Sequence, residues 1–273
     1  MMDKEFRADL HVHTRCSDGT DSPEEVLYKA KEAGLMGLSI TDHDTTSAYT
    51  PGLFALAKKL KIHLIPGVEI SSRQQNEDVH ILGYGFSLEN KNFQAFLQKI
   101  REKRKNRNLA ILEKLQKKGI VITEEELYSL PTNVVGRPHI AFFLEKKGVV
   151  SSFQEAFEKY LREGASCYVL GDKFTSEEVI GYIHAAGGKA VLAHPHFLKK
   201  MKLKSALLSL PFDGIECYYA YFPLHVEKTW LALAEKKKWI TTGGSDYHGS
   251  VKPQNLLGGS WVGWESFQKL LSH

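Results

Sequence analysis

Residues 7–44, RADLHVHTRCSDGTDSPEEVLYKAKEAGLMGLSITDHD, contain the pattern that decides the fold. Apolar residues cluster in Arg7–His13 and again in Gly37–Thr41, as expected of two buried strands. Between them, Ser22 followed by proline and two glutamates predicts the start of a helix, and Gly34 predicts its end. A strand, a helix and a second strand in this order are typical of repeated β-α units around a parallel sheet.

The same pattern recurs later and predicts an α/β protein. The further predicted strands are Ile62–Ile70, Val79–Tyr84, Lys189–His194, Gly214–Tyr218 and Trp239–Asp246. Thr175 and the residues after it predict the start of another helix. Residues 93–168 lack strand signals and show helical periodicity. We therefore expect a helical subdomain at 93–168, inserted into a unit that consists of residues 1–92 and 169–273.

One helical segment of the insertion departs from its own pattern. Apolar residues between 93 and 115 recur at three- and four-residue spacings, as on the buried face of a helix. The same face also carries three polar residues, Arg104, Arg107 and Asn108. Either the helix extends beyond its core and exposes a charged turn, or it lies over a site that receives an anion.

Composition places the chain among ordinary globular proteins. Hydrophobic residues at 42% and charged residues at 25% argue against a disordered or fibrous chain. We expect a cytoplasmic protein because no apolar run approaches the ~20 residues of a membrane span, and Met1–Arg7 is charged rather than signal-like. Cys16, Cys167 and Cys217 would then remain thiols. A net charge of +4 indicates no particular partner, and no obligate protein partner is evident.

Histidines and carboxylates gather at the carboxyl ends of the predicted strands, where a parallel barrel builds its active site. They are His11, His13, Asp18, Asp42, His43, Asp44, Glu69, His80, His194, Asp246 and His248. Residues two apart in a strand point the same way, so His11 and His13 can bind one ion. The same holds for Asp246 and His248 if their segment is extended. Burying so many charged groups without a cation is expensive, and imidazole and carboxylate ligands suit Mn, Fe or Zn.

Five other histidines are interpreted as core or surface residues, because a single histidine is more often structural than a metal ligand. They are His63, His184, His196, His225 and His273.

Five motifs together resemble those of the polymerase-and-histidinol-phosphatase (PHP) superfamily. They are Asp9–His13, Thr41–Asp44, Gly67–Ser71, Ala193–Pro195 and Gly244–His248. The motifs span nearly the whole chain, and the ordered set is far more specific than any one of them. The resemblance implies a distorted (β/α)7 barrel of the PHP type with two or three divalent metal ions. Asp18, the helical insertion and an element like Val135–His139 are similar to the branch of nucleotide phosphoesterases.

The resemblance also implies how the ligands are shared. His11, His13, Glu69 and Asp246 would hold one ion, Glu69 would bridge to a second held by His80 and His194, and Asp18, His43 and His248 would complete a third site. Arg137 and His139 become candidates for binding the substrate phosphate, because a guanidinium can pair with phosphate through two hydrogen bonds. The alternative for these two residues is a helix start at Pro138 with a surface arginine. Asp44 lies beside a ligand and is a candidate donor of the proton to the leaving alkoxide.

These residues predict an enzyme, a metal-dependent phosphoesterase in which metal-activated hydroxide hydrolyses a phosphate monoester of a small nucleotide. The expected substrate is of the AMP or nucleoside 3′,5′-bisphosphate type. A 5′-3′ exonuclease on short oligoribonucleotides is the nearest alternative, because the basic segment Arg101–Arg107 could follow a phosphate backbone. A histidinol-phosphate-type phosphatase and a metal-dependent amidohydrolase are two further candidate functions, although an amidohydrolase usually has a lysine where this chain has Glu69.

Overall fold

The computed structural model describes residues 5–220 and 222–271, which form a mixed α/β fold. The strands in this part of the chain are β1 (Ala8–Val12), β2 (Gly37–Ile40), β3 (His63–Leu64), β4 (Gly67–Gln74), β5 (Glu77–Tyr84), β6 (Lys189–Leu192), β7 (Gly214–Tyr219) and β8 (Ile240–Gly244). Every predicted strand is present in some form. The predicted strand Ile62–Ile70 is divided into β3 and β4 around Pro66, because proline has no amide hydrogen to donate to a ladder.

The strands form two sheets. β1, β2 and β3 make a parallel sheet, and β4 to β8 make a five-stranded sheet in chain order. Within the second sheet β5 runs antiparallel to both β4 and β6, so the expectation of repeated parallel units is wrong for this strand. The cause is a tight hairpin in which Gln75 and Asn76 have φ of 50° and 64°, the left-handed values of a two-residue turn.

Isolated bridges connect the two sheets at the site described below. Val12 at the end of β1 pairs with Tyr247, which follows β8. His43, which follows β2, pairs with Glu69 in β4. These pairings bring together strand ends that are far apart in the sequence.

Helices cover the sheets and form the insertion. They are α1 (Pro23–Glu32), α2 (Pro51–Leu60), α3 (Lys91–Gln116), α4 (Glu124–Tyr128), α5 (Arg137–Lys146), α6 (Phe153–Ala156), α7 (Ser176–Ala185), α8 (Met201–Leu208), α9 (Leu224–Lys237) and α10 (Trp264–Lys269). A π-helical turn, Phe157–Leu161, continues α6, and short 3-10 turns occupy Pro195–Phe197 and Gly249–Val251. The predicted capping boxes at Ser22 and Thr175 are both present.

The long helix α3 is shared by two hydrophobic cores. Its first half, Phe93–Ile100, packs with the five-stranded sheet and α7. Its second half, Ile111–Leu115, packs with α5 and the residues up to Cys167 in a separate cluster. The polar stretch between the halves therefore spans the boundary between the sheet and the insertion. This position brings Arg104 and Arg107 next to the ends of the strands.

Two further expectations concern the whole chain. Among residues 5–220 and 222–271, no helix is both long and apolar enough to cross a membrane. The three cysteines are free thiols, as predicted, and Cys167 and Cys217 are buried. The charged segment Met1–Arg7 and His273 were also considered in the sequence, and residues 1–4 and 272–273 lie outside the described part of the chain.

Candidate metal centre

One oxygen of the buried Glu69 carboxylate faces three histidines. Oε2 lies 3.1 Å from His13 Nε2, 3.3 Å from His43 Nδ1 and 3.4 Å from His11 Nε2. β1 carries His11 and ends just before His13, and the bridge between His43 and Glu69 brings the end of β2 to the same point. The parity expected of a strand is confirmed, because both histidines of the first motif face the same carboxylate.

The other oxygen of Glu69 faces two further histidines. Oε1 lies 2.8 Å from His80 Nδ1 on β5 and 3.0 Å from His194 Nε2, which follows β6. Burial raises the pKa of Glu69, but the adjacent histidines outweigh burial and hold that pKa well below its usual range. The group is therefore a carboxylate with its two oxygens directed at two different sets of imidazoles, which is the geometry of a bridging ligand.

Asp246 faces the first of these sets. Its Oδ1 lies 3.5 Å from His11 Nε2 and 3.6 Å from His13 Nε2. Its Oδ2 accepts hydrogen bonds of 2.7 Å from both the Tyr219 hydroxyl and the Lys252 ammonium. These two bonds orient the free oxygen toward the histidines. Neither Tyr219 nor Lys252 was singled out in the sequence, since neither belongs to a motif or a strand-end pair of ligands.

Asp18 lies on the opposite side of His13. Its Oδ1 is 3.4 Å from both His13 Nδ1 and His248 Nε2, and its Oδ2 is 3.7 Å from His43 Nε2. The condition that Asp246 and His248 lie in an extended segment is not met, because Asp246 has φ of 52°. His248 instead places Nδ1 2.8 Å from the Asp246 carbonyl oxygen and turns Nε2 toward Asp18.

The donor set fits divalent cations. His11 Nε2, both ring nitrogens of His13 and His43 Nδ1 are buried and have no hydrogen-bond partner within residues 5–220 and 222–271. Buried ring nitrogens without a hydrogen-bond partner destabilise the fold unless another group, such as a cation, binds them. Three overlapping groups each bring their ligand atoms within 4.8 Å of one another: His11, His13 and Asp246; His13, Asp18 and His43; His43, Glu69 and His80. Nitrogen and oxygen donors at this spacing are suited to two or three ions.

Glu216 supports this centre from behind and was missed in the sequence. It is a buried carboxylate in the middle of β7, and its Oε1 lies 2.9 Å from His11 Nδ1. Its Oε2 accepts a 2.6 Å hydrogen bond from the His194 amide. A carboxylate behind a ligating histidine fixes the orientation and the tautomer of the ring. The one signal that could have found it was a charged residue inside an otherwise apolar strand.

Asp9 and Asp42 belong to the recognised motifs, but their carboxylates accept hydrogen bonds from backbone amides. Asp9 accepts amide hydrogen bonds from Ser245 at 3.0 Å and Gly258 at 2.8 Å, and burial raises its pKa to about 6. Asp42 accepts hydrogen bonds from the Thr14 amide at 2.8 Å and the Ser17 hydroxyl at 2.6 Å. Asp9 thus joins β1 to the segments after β8, and Asp42 orders the loop that carries Asp18.

Asp44 has a different environment from the one expected of a proton donor. It is fully buried with φ of 54°, and its carboxylate accepts hydrogen bonds from Arg104 Nε at 3.0 Å and the Ser71 amide at 2.9 Å. Burial raises the pKa of Asp44, but Arg104 outweighs it and the pKa is lowered. A carboxylate held in an ion pair is a poor proton donor at neutral pH. Its contacts indicate that Asp44 positions Arg104.

The three polar residues of α3 that interrupt its apolar stripe face inward, so the interpretation of an exposed charged turn is wrong. Arg107 and Asn108 are buried, and the Arg104 side chain is only 12% exposed. Arg104 Nη2 donates to Ser71 Oγ at 2.9 Å, next to the metal-ligand cluster. Long-range pairing with Asp44, which follows β2, and with Ser71 on β4 explains why a helical stripe can carry arginine here.

A cavity of about 120 Å3, the cationic pocket, lies between the insertion and the metal-ligand cluster. Four cationic side chains line it: Arg104, Arg107, Arg137 and Lys173. Asp18, His43 and His80 line the same cavity. Asp78 pairs with Lys173 at 2.9 Å and with Arg137 at 3.7 Å. The four cationic side chains outnumber the nearby carboxylates Asp18, Asp44 and Asp78, so the charge of the pocket suits an anion.

Arg137 and His139 occupy the start of α5, and the structure separates their roles. Arg137 lines the cationic pocket and is partly buried, so it is not a surface arginine. The predicted helix start is also present, with Pro138 in the first turn. His139 Nδ1 accepts a 3.0 Å hydrogen bond from the Gly136 amide and caps the helix. His139 is absent from the lining of the cationic pocket and faces a neighbouring cavity beside Asp18.

The histidines interpreted as structural have varied surroundings. His184 pairs with Asp213 at 2.7 Å, and His63 packs against Phe6 and Trp264. His225 is exposed on α9. His196 lies beside the ligand candidate His194, with ring centroids 6.3 Å apart, and is closer to the site than its interpretation as a structural residue implied.

An α/β fold that gathers six histidines, Asp18 and Asp246 around Glu69, next to the cationic pocket, is the arrangement expected of a metal-dependent hydrolase of phosphate esters. Comparison with known proteins gives the family. A match to the PHP domain covers residues 9–169, and the chain belongs to this family, as the motifs predicted. The protein is thus a metal-dependent phosphoesterase that uses divalent metal ions.

Characterised relatives extend over most of the chain. It is 41% identical over 247 residues to the 5′-3′ exoribonuclease Rnm of Escherichia coli strain K12, a match that covers 88% of this chain and 84% of the relative. It is 31% identical over 247 residues to the 3′,5′-nucleoside bisphosphate phosphatase of Chromobacterium violaceum, with coverage of 88% and 86%.

Solved structures agree with this fold. A protein from Bifidobacterium adolescentis, assigned as a metal-dependent phosphoesterase, aligns with a TM-score of 0.87 at 28% identity over 97% of this chain and 95% of that one. A protein from Chromobacterium violaceum named as an amidohydrolase, with bound sulfate and no metal, aligns with a TM-score of 0.84 at 28% identity over 96% and 95%.

Proposed function

We propose that this protein is a 5′-3′ exoribonuclease that removes nucleotides from short RNAs carrying a 5′-phosphate. The observation that carries the proposal is the shared wall between the cationic pocket and the metal-ligand cluster. We infer that a substrate using both carries two phosphates separated by one nucleoside. A 5′-phosphorylated RNA has this arrangement at its end, and the relatives named as exoribonucleases are 37–41% identical to this chain.

The size of the cationic pocket favours a chain end. At about 120 Å3, it is small beside the aromatic-lined cavity of about 440 Å3 on the other side of the metal ligands, and its size suits a phosphate group. The terminal 5′-phosphate would pair with Arg104, Arg107, Arg137 and Lys173 there. The next phosphodiester, on the 3′ side of the first nucleoside, would then lie at the metal ligands and be hydrolysed.

The roles proposed for the ligands follow the measured contacts. One ion would be held by His11, His13, Asp246 and Glu69. Glu69 would bridge to a second ion, held also by His80 and His194. A third ion would be held by Asp18, His43 and His248. Mn, Fe and Zn suit this set. When bound, such cations act as Lewis acids toward the phosphate and lower the pKa of a water molecule. Glu216, Tyr219 and Lys252 orient the ligands, while Arg104 and Arg107 neutralise and position the terminal phosphate.

We also propose the domain division suggested by the sequence, with a PHP barrel at 1–92 and 169–273 and a helical insertion at 93–168. The two sheets, joined by the bridges at Val12 and His43, would be the two parts of a distorted (β/α)7 barrel. In this arrangement the insertion supplies the arginines of the cationic pocket and the barrel supplies the metal ligands.

A second candidate is a nucleoside 3′,5′-bisphosphate phosphatase, the substrate type favoured by the sequence and named for a relative at 31% identity. Such a compound also has phosphates on both sides of one nucleoside and would use both anion sites. AMP has a single phosphate and would leave one site empty. Histidinol phosphate is less favoured, because its ammonium and imidazole groups would approach four cationic side chains. An amidohydrolase has no use for that pocket.

The test is the order of product release from a 5′-phosphorylated tetraribonucleotide with four different bases. Mn-loaded protein should release the 5′-terminal nucleoside monophosphate first, followed by the second nucleotide. Release of the 3′-terminal nucleotide first, or of inorganic phosphate alone, would exclude the proposed direction of cleavage. Parallel assays with nucleoside 3′,5′-bisphosphates and with AMP distinguish the second candidate.

A further inference from the structure

A second cavity, of about 440 Å3, adjoins the metal-ligand cluster on another side. His194, Asp246 and His248 line it together with three aromatic side chains, Phe197, Tyr219 and Phe222. We refer to this space as the aromatic cavity. The Phe197 side chain is 55% exposed, which is unusual for a large ring in the interior of a functional cleft. An exposed ring at such a place is typical of a binding surface.

The rings of the aromatic cavity form one connected group that begins at a metal-ligand candidate. The centroid of His194 lies 5.5 Å from that of Phe197, and Phe197 lies 6.0 Å from Phe222 at an angle of 81°. His196 packs against Phe222 with a centroid separation of 3.8 Å. Tyr219 is fixed by its hydrogen bond to Asp246. The group thus extends from the metal-ligand cluster along one wall of the aromatic cavity.

The cationic pocket and the aromatic cavity have opposite chemical character. Both include His43 and His80 in their walls, so a molecule bound at the metal ligands can enter both. The cationic pocket contains four cationic side chains. In the aromatic cavity, Lys252 is the only lysine or arginine among the described residues that line it. Lys252 is already paired with Asp246 at 2.7 Å. The aromatic cavity is therefore suited to a flat, weakly charged group rather than to a further phosphate.

We propose that the aromatic cavity binds the nucleobase of the nucleotide on the 3′ side of the scissile phosphodiester. This inference rests on the proposed exoribonuclease function. With the terminal phosphate in the cationic pocket and the scissile group at the metal ligands, the following nucleotide extends to the remaining side. Stacking on Phe197 and Phe222 accepts any base, because every base has a π-face, and this suits an enzyme that removes nucleotides in succession. A nucleoside 3′,5′-bisphosphate has no group to place there.

The experiment compares two substrates in Phe197→Ala, Phe222→Ala and Phe197→Tyr variants. The substrates are a 5′-phosphorylated diribonucleotide and the matching nucleoside 3′,5′-bisphosphate. For the two alanine variants, the ratio of kcat/KM for the dinucleotide to kcat/KM for the bisphosphate should fall about tenfold, as expected for one lost stacking contact. Phe197→Tyr keeps the aromatic ring and should retain most of the wild-type ratio. Leu224→Ala, an exposed apolar residue at the start of α9, is the control.

A dinucleotide that lacks the second base identifies the group that is bound. In the wild type, kcat/KM for this substrate should be lower than for the complete dinucleotide by about the factor by which Phe197→Ala lowers kcat/KM for the complete dinucleotide. For the substrate without the second base, Phe197→Ala should cause little further decrease in kcat/KM. An unchanged ratio in both alanine variants, or an equal loss with and without the second base, would overturn the proposal.

The inference and the proposed function can fail separately. If the wild type hydrolyses the bisphosphate but not the dinucleotide, the proposed function is wrong, and the cavity is tested with the dinucleotide as a competitive inhibitor of bisphosphate hydrolysis. Phe197→Ala should then raise the inhibition constant about tenfold. An inhibition constant that does not change would contradict a base-binding cavity.

Discussion

Glu69 is the residue on which the metal centre depends most. All five of its histidine neighbours place a ring nitrogen within 3.4 Å of one of its two oxygens. Glu69→Gln keeps the shape but replaces one oxygen with an amide donor that cannot bind a cation. We expect a loss of kcat/KM of more than about 100-fold, beyond the effect of disturbing an outer-shell partner. Metal content should fall, and the melting temperature of the variant should stay close to that of metal-free wild-type protein.

Glu77→Gln is the matched control, since Glu77 lies at the start of β5 and pairs with Lys200 at the surface. It should have wild-type activity and metal content. A Glu69→Gln variant that kept most of its activity would remove this carboxylate from the centre.

Lys173 should give substrate binding a pH dependence. Burial lowers the pKa of Lys173 to about 8, although Asp78 opposes the shift. Lys173 is therefore protonated below about pH 8 and loses its charge above it, while Arg104 and Arg107 also face the pocket. The Kd of a 5′-nucleotide product should rise as the pH increases from about 7 to about 9, on either side of that pKa, and Lys173→Met should remove most of that rise. An equal pH dependence in this variant would show that Lys173 is not its source.

At this scale most of the candidate metal ligands were predictable because they belong to short local motifs, although Asp18 and His80 lie outside those motifs. His11 and His13 are two residues apart, and strand geometry alone places them on one face. Glu216 and Lys252 were not predictable in the same way. Glu216 contacts His11 from 205 residues away, and its only local signal is its charge within an apolar strand, while Lys252 belongs to none of the motifs.

Helix α3 makes an element-scale prediction from the difference between its two arginines. Arg107 is buried with no carboxylate partner in the described part of the chain, and burial, Arg104 and Arg137 lower its pKa to about 9. An unpaired buried cation destabilises a free protein. Arg107→Met should therefore raise the melting temperature by about 2–4 °C, corresponding to about 1 kcal/mol, while it weakens binding of the terminal phosphate.

Arg104→Met is the matched comparison and should have the opposite effect on stability. Removing Arg104 leaves the buried Asp44 carboxylate without its ion-pair partner, which costs about 3–5 kcal/mol. Denaturant unfolding of both variants, together with their KM for a nucleoside 3′,5′-bisphosphate, checks the pair. If Arg107→Met destabilised the protein and left KM unchanged, the arginine would be a structural residue rather than part of a phosphate site.

The elements themselves were predictable to different degrees. The capping boxes at Ser22 and Thr175 identify helix starts because the capping interaction is local. The direction of β5 was not predictable from its apolar pattern, which is the same for parallel and antiparallel buried strands. Gln75 and Asn76, in left-handed turn conformation, reverse the chain there. The inward face of α3 likewise depends on Asp44, 60 residues away.

For the whole molecule, metal binding should be linked to stability. The ligands come from β1, β4, β5 and the segments after β2, β6 and β8, so bound cations would connect both sheets. Any ligand that binds only the native state stabilises it by mass action. Chelation, allowed time for metal loss, should lower the melting temperature and abolish phosphoesterase activity, and Mn should restore both. Full activity in excess chelator would exclude a metal-dependent mechanism.

The central claim is that the metal centre and the cationic pocket together recognise a terminal phosphate one nucleoside away from the bond that is cleaved. Its most direct test is the ratio of kcat/KM for a 5′-phosphorylated tetraribonucleotide to that for the same RNA with a 5′-hydroxyl. We predict a preference for the phosphorylated RNA of at least about 30-fold, corresponding to about 2 kcal/mol, the lower end for a buried charged contact. Equal values for the two substrates would contradict the account.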